Sequence, residues 1–162
     1  MAKQLPIEIF MPPNVLKAKV GGAGGDIDTA ALLRAETAME VLKENFNDWI
    51  AADVQRLGEC RDRFASQPDQ TARDELFRAA HDLKGQATTF EYPMISRMAA
   101  SLTRLMGGLK AGETAPLGLI DAHVAAVRVI FRDKIRTASD RMSVVVADEL
   151  EARVAEALDE AG

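Results

Sequence analysis

The sequence predicts an all-α protein: an antiparallel, up-down four-helix bundle with additional helical segments at its N- and C-terminal ends. Three observations predict it. Apolar residues recur at spacings of three and four from about residue 29 onward, which is the period of one helix face. No two-residue alternation lasts long enough to form a sheet. Hydrophobic residues make up 48% of the chain while aromatics make up only 5%, and Ala and unbranched side chains lose little on entering a helix. At 162 residues the chain suffices for one domain with a substantial core and is short for two.

Residues 1–28 differ from the rest. "LPIEIFMPPNVLKAKVGGAGGD" joins a short apolar run carrying Ile7, Ile9, Phe10 and Leu16 to two prolines and the glycine-rich joint Gly21–Gly25. It reads as an extended arm and a hinge, able to dock on the bundle or on a second subunit. Plain disorder is the competing reading. From Asp28 the pattern is helical: Ala35, Met39, Leu42, Phe46, Trp49, Leu57, Cys60 and Phe64 describe one apolar stripe. "NFND" at 45–48 predicts a break, and hence two helices within 29–66.

"SQPDQT" is a loop from which Thr71 is placed to cap a helix over about 72–90. "EYP" then sets Pro93 in the first turn of another helix, whose Met94, Met98, Leu102, Leu105 and Leu109 share a face. After "GGLKAGETAPLG", a helix from Leu117 to Thr137 presents Ile120, Val124, Val127, Phe131 and Ile135. "VVVADELEARVAEAL" forms a last amphipathic segment. Helices joined by short loops bury such stripes most simply as an antiparallel bundle. The domain reading is an arm and hinge at 1–28, the bundle at 29–140 and an acidic helix at 141–162.

The formal charge is −5, of which residues 141–162 hold a net of −4. No basic block exists, so nucleic acid has no electrostatic foothold. No apolar run approaches the roughly 20 residues that span a bilayer, and Glu8 and Pro12–Pro13 stand where a secretory apolar core would sit. The expectation is a cytoplasmic protein without membrane insertion. The single Cys60 excludes an internal disulfide and a multi-cysteine zinc site, and its place in an apolar row predicts a buried thiol.

One stretch does not fit a purely structural helix: "AAHDLKGQATTF", Ala79 to Phe90. Its core row is Leu76, Ala80, Leu83, Ala87 and Phe90, and winding at about 100° per residue puts His81 about 140° away from that row. Gly85 falls nearly opposite the core, Thr88 beside His81, and Lys84 one turn from the imidazole. An exposed histidine alone is most often idle. A mid-helix glycine, however, costs about 1 kcal/mol against alanine, and close approach of another surface is a physical reason to accept that cost. An imidazole with an ordinary pKa near 6.5 is a good nucleophile for phosphorus. Phosphoryl transfer also needs a nearby cation and in-line room, which Lys84 and Gly85 are placed to supply.

"AHDLKGQATTF" resembles the signature of histidine-containing phosphotransfer (HPt) domains, a His followed by Lys at three and Gly at four residues within a helical bundle. The match is specific over residues 76–109 and architectural over 29–140, leaving the arm and the last helix outside it. The resemblance implies a carrier with no ATP site and no cofactor of its own. It would take a phosphoryl group from the aspartate of one receiver domain and pass it to another, fed by a hybrid sensor histidine kinase. It further implies that His81 is the phospho-acceptor, that Lys84 steadies the phosphoryl oxygens and that Gly85 admits the receiver. Phe77, Arg78 and Thr88 border the contact, and the receiver brings the Mg²⁺. The family usually has a second glycine ten residues after the histidine; this chain has Glu91.

Two other readings compete with this one. The dimerisation and phosphoacceptor domain of sensor kinases shares "HDLK", with Asp82 as the assisting acid, but the continuation Gly85–Gln86 departs from it, and nothing in the 162 residues resembles a nucleotide-binding kinase domain. A helical interaction module in which His81 is idle leaves Gly85 without a reason. The oligomeric state is open between monomer and dimer. His123, without a cation or a glycine one turn on, reads as a bundle-edge histidine. Two histidines lacking a Glu-x-x-His pair make a poor metal site, and "GGAGG" lacks the Lys-Ser/Thr of a phosphate loop.

Overall fold

The computed structural model describes residues 29–110 and 115–160. Five α-helices occupy them: α1 Thr29–Ser66, α2 Gln70–Thr89, α3 Pro93–Gly108, α4 Leu117–Arg132 and α5 Arg141–Glu160. No strand occurs among the described residues, so the chain is all-α, as its periodicity predicts. The arm and hinge of 1–28, and residues 111–114 of the "GGLKAGETAPLG" loop, lie outside the described residues.

The chain divides into two units, residues 1–41 and 42–162. In the first, the described residues are helical and exposed, and Thr37 Oγ1 donates to the Leu33 carbonyl at 2.9 Å. The second unit holds the core. Ile50, Val54, Leu57 and Phe64 of α1 join Leu76, Ala80, Leu83 and Ala87 of α2 and Ile95, Met98, Leu102 and Leu105 of α3. Ile120, Val124 and Val127 of α4 and Ala147, Leu150 and Val154 of α5 complete it. Burying a side chain of this size is worth about 1.5–3 kcal/mol.

Ion pairs record the direction of α1 against α2. Arg63 meets Glu75 at 2.7 Å, next to the connecting loop, and Arg56 meets Asp82 at 3.5 Å further along. Partners that separate in sequence on both sides of a loop define antiparallel helices. Arg61 bonds Asp121 at 2.5 Å, tying α1 to α4. Helix α3 packs on α2, α4 and α5. Arg97 of α3 reaches both oxygens of Glu151 at 2.7 Å and Asp148 at 2.6 Å. Thus α5 buries its apolar face in the common core and turns part of its acidic face to Arg97.

Several expectations need correction. Helix α1 runs through "NFND" without a break. Asn and Asp are weak helix formers, but tertiary contacts outweigh them: Phe46 stacks on Phe90 at 4.9 Å, and Asn47 Oδ1 accepts from Arg136 at 2.6 Å. The single stripe read along α1 is buried only from Ile50 onward; Met39, Leu42 and Trp49 are exposed. Asp69, not Thr71, caps α2: its carboxylate accepts from the Ala72 N–H at 2.7 Å, where a negative charge also favours the helix N-terminus. Cys60 is half-buried rather than buried, and this partial burial pushes its thiol pKa up.

Helix α4 stops at Arg132 instead of Thr137 because Lys134 takes a left-handed φ of 53°. The Lys134 N–H then bonds the Phe131 carbonyl at 3.1 Å and the Ile135 N–H bonds Ile130 at 3.0 Å, the crossed pair that closes a helix C-terminus. Pro93 does open α3 in its first turn. At the other end of α3, the Arg73 guanidinium caps the Met106, Leu109 and Lys110 carbonyls.

Glu91 occupies the corresponding position after α2, with φ 61°. The Glu91 N–H reaches Thr88 at 3.4 Å and the Tyr92 N–H reaches Ala87 at 2.8 Å. A side chain in this conformation costs about 1 kcal/mol that glycine avoids, which is a physical reason for a glycine here and shows that Glu91 keeps the turn. Its one ion pair, to Arg136 at 4.0 Å, is exposed. Glu91→Gly is therefore expected to raise the melting temperature by about 3 °C; an unchanged or lower value in a thermal melt would contradict the strain.

Candidate functional site

Helix α2 carries the site on its outer face. Leu76, Ala79, Ala80, Leu83 and Ala87 are buried, which leaves Arg78, His81, Asp82, Lys84 and Gly85 on the exposed side. The His81 side chain is 61% exposed. Its ring stacks on Phe77, one turn earlier, with centroids 6.2 Å apart and planes 18° apart. Phe77 itself is half-buried and lies over Gly107 of α3, so the imidazole rests against a ring that the core holds in place.

The residues named from sequence divide around His81. Phe77, Lys84 and Thr88 lie on the α3 side. Thr88 Oγ1 meets Ser96 Oγ of α3 at 2.9 Å, and Ser96 Oγ also donates to the Lys84 carbonyl at 2.8 Å. These bonds lock the backbone beneath Lys84 to the next helix. The Lys84 side chain is exposed, and its ammonium makes no ion pair among the described residues, so its charge is available to an incoming group. Arg78 is also exposed, one turn before His81.

On the α1 side a shallow groove is lined by His81, Asp82, Gly85, Gln86 and Thr89. A Cβ placed on Gly85 would meet nothing within 4 Å. The fold therefore does not require this glycine: no neighbour crowds it, and no left-handed φ is recorded there. Alanine would fit and would favour the helix by about 1 kcal/mol. The open space above the backbone is the site's most informative feature.

Asp82 links the site to α1. Its Oδ1 lies 3.9 Å from His81 Nδ1, too far for a hydrogen bond, and its Oδ2 lies 3.5 Å from Arg56 Nη1. One turn before Arg56, the Asp53 Oδ2 is buried without a hydrogen-bond partner. Burial chiefly, with a smaller contribution from Asp82, pushes the Asp53 carboxyl above its usual range against the opposing pull of Arg56. Sequence reading found neither Arg56 nor Asp53, because they lie 26 and 29 residues before Asp82 in the chain and only the α1–α2 packing brings them there.

His123 is a second correction. It does not sit at a bundle edge; it is fully buried between α3 and α4. Nδ1 lies 2.8 Å from the Leu119 carbonyl and Nε2 lies 2.9 Å from Ser101 Oγ. A carbonyl only accepts, so Nδ1 carries the proton and the Ser101 hydroxyl donates to Nε2. Burial pushes its pKa down. With both nitrogens engaged, His123 is a core group.

Among the described residues no set of three or more His, Cys, Asp or Glu side chains is grouped to hold a metal ion, and no helix is long and apolar enough to cross a membrane. In comparison with known families, the model of the Hpt domain matches residues 35–160, which takes in α5 as well as the bundle helices before it. Neither the curated proteins nor the solved structures gave a match.

Proposed function

Since this chain belongs to the Hpt domain family, we propose that His81 is its phospho-acceptor and that the protein is a cytoplasmic carrier between receiver domains. Family membership brings a histidine phosphotransfer role in phosphorelays, and Hpt domains interact with the receiver domains and kinases of two-component systems. The observation that carries the assignment to His81 is the exposed imidazole beside a glycine that the fold does not need. The buried His123, with both nitrogens engaged, cannot meet a second protein.

The step follows from the geometry. Asp82 lies on the Nδ1 side, 3.9 Å away, so Nε2 is the nitrogen further from its carboxylate. Its lone pair forms the N–P bond while the P–O bond to the receiver's aspartate breaks, and the carboxylate leaves with that electron pair. The proton on Nδ1 stays in place. Lys84 neutralises charge on the transferred oxygens, and the receiver supplies the Mg²⁺ that lowers the barrier. Transfer to a second receiver runs the same exchange in reverse.

The test uses purified receivers loaded with labelled phosphate on aspartate, mixed with the full chain. Acid-labile label appearing on the protein within seconds supports the reading. No label from any receiver, nor from the small donor phosphoramidate, would overturn it. Gly85→Gln is expected to leave the melting temperature unchanged or slightly higher while slowing transfer from receivers by at least about tenfold, equivalent to 1.4 kcal/mol of lost docking. Equal transfer rates in stopped-time assays would remove the clearance argument.

A further inference from the structure

We infer that Arg56 is a second phosphoryl-binding cation, held by Asp82 beside the acceptor until His81 is phosphorylated. The inference rests on His81 being the acceptor and adds a residue from a different helix to the site.

The two oxygens of Asp82 face in different directions, one toward Arg56 at 3.5 Å and the other toward His81 at 3.9 Å. Arg56 is therefore one carboxylate away from the imidazole. It lies on the α1 side, across His81 from Lys84. The hold on it is weak: its bond to Asp82 is at the outer limit of a hydrogen bond, and the Arg56 and Asp82 side chains are 53% and 47% exposed. Exposed pairs of this kind are weak, so the guanidinium can change partners.

A phosphoryl group on His81 would be the stronger partner. It carries nearly two negative charges and three acceptor oxygens, which a guanidinium fork meets in bidentate fashion. Without Arg56, the Asp82 carboxylate beside the imidazole would oppose the phosphoryl group unscreened. Lys84 and Arg78 on α2 would be the nearby cations, and α3 offers the uncharged Ser96 hydroxyl beneath Lys84. Asp53, one turn before Arg56, interacts electrostatically with it, and Arg56 opposes the burial that pushes the Asp53 carboxyl up. The guanidinium thus offsets the Asp82 carboxylate beside the place where new negative charge arrives.

The experiment phosphorylates the full chain with phosphoramidate and follows phosphohistidine by phosphorus NMR in the wild type, Arg56→Gln, Arg56→Lys and His81→Gln. The expected result is a phosphorylated fraction reduced about three- to tenfold in Arg56→Gln and partly restored in Arg56→Lys, which keeps the charge without the bidentate fork, with matching thermal melts. A structural role for Arg56 would not be rescued by lysine, whose geometry differs but whose charge is the same. If the wild type is phosphorylated on His81 and Arg56→Gln reaches the same level, the inference fails and the acceptor assignment stands. If the wild type is phosphorylated but His81→Gln is phosphorylated equally, the acceptor assignment fails and takes this inference with it.

Discussion

Replacing His81 with glutamine is expected to abolish phosphoryl acceptance while leaving the fold as it is. Glutamine keeps a polar side chain of similar reach but has no nucleophilic nitrogen, since its amide lone pair is delocalised into the carbonyl. Removing a nucleophile from a site whose other parts act only through it leaves little behind, so the loss in labelling should exceed about a thousandfold. The fold should not respond, because the imidazole is mostly exposed and its ring contact is with Phe77, which packs against the core independently of His81. Substitutions at such positions usually stay within about 0.5 kcal/mol. The measurement is label transfer beside a circular-dichroism melt of the same sample. Label persisting on the variant would move the acceptor elsewhere; a collapsed melt would contradict the exposed geometry.

The largest effect on stability is expected at the other histidine. His123→Ala removes a fully buried ring and strands the Ser101 hydroxyl, which loses its acceptor. Cavity and unpaired-donor costs together come to about 3–5 kcal/mol, a large part of the total stability of a domain this size.

His123 also gives the wild type a pH dependence. Burial lowers its pKa in the folded state, against the smaller opposing effects of the Leu119 carbonyl and Glu151. The unfolded chain, whose histidine titrates near 6.5, then binds more protons than the folded one. The contribution is fully present above about pH 6.5 and is lost as the pH falls below that value, with a slope approaching about 1.4 kcal/mol per pH unit until the folded-state pKa is reached. Asp121 and Asp140, whose pKa values are lowered by their hydrogen bonds with Arg61 and Ser143, lose their share only at lower pH, in the carboxylate range. Urea titrations at pH 7.5 and 5.5 separate the two ranges. The wild type should lose stability between them and His123→Leu, which fills the volume without a titrating group, should not. An equal loss in both proteins would assign the dependence to other groups.

These two histidines show what sequence decides and where its reach ends. The chain alone determines the fold class and which face of α2 turns outward, because both follow from residue spacing within a helix. For the same reason His81, Lys84 and Gly85 can be placed together from a 12-residue stretch. His123 lay beside its own apolar row, and spacing could not tell whether α3 would cover it; Ser101 and the packing of α3 on α4 decided that. Exposure of Met39, Leu42 and Trp49 has the same cause, since a stripe is buried only where another element reaches it. Asp69 displaced Thr71 as the cap, and "NFND" stayed helical, because contacts of a few kcal/mol exceed propensities of a few tenths. Arg56 joined the site through the register of α1 against α2, a relation set by how two apolar faces interlock. Periodicity is local chemistry and can be read residue by residue. Burial and partnership depend on what a second surface brings, and only the folded chain supplies it.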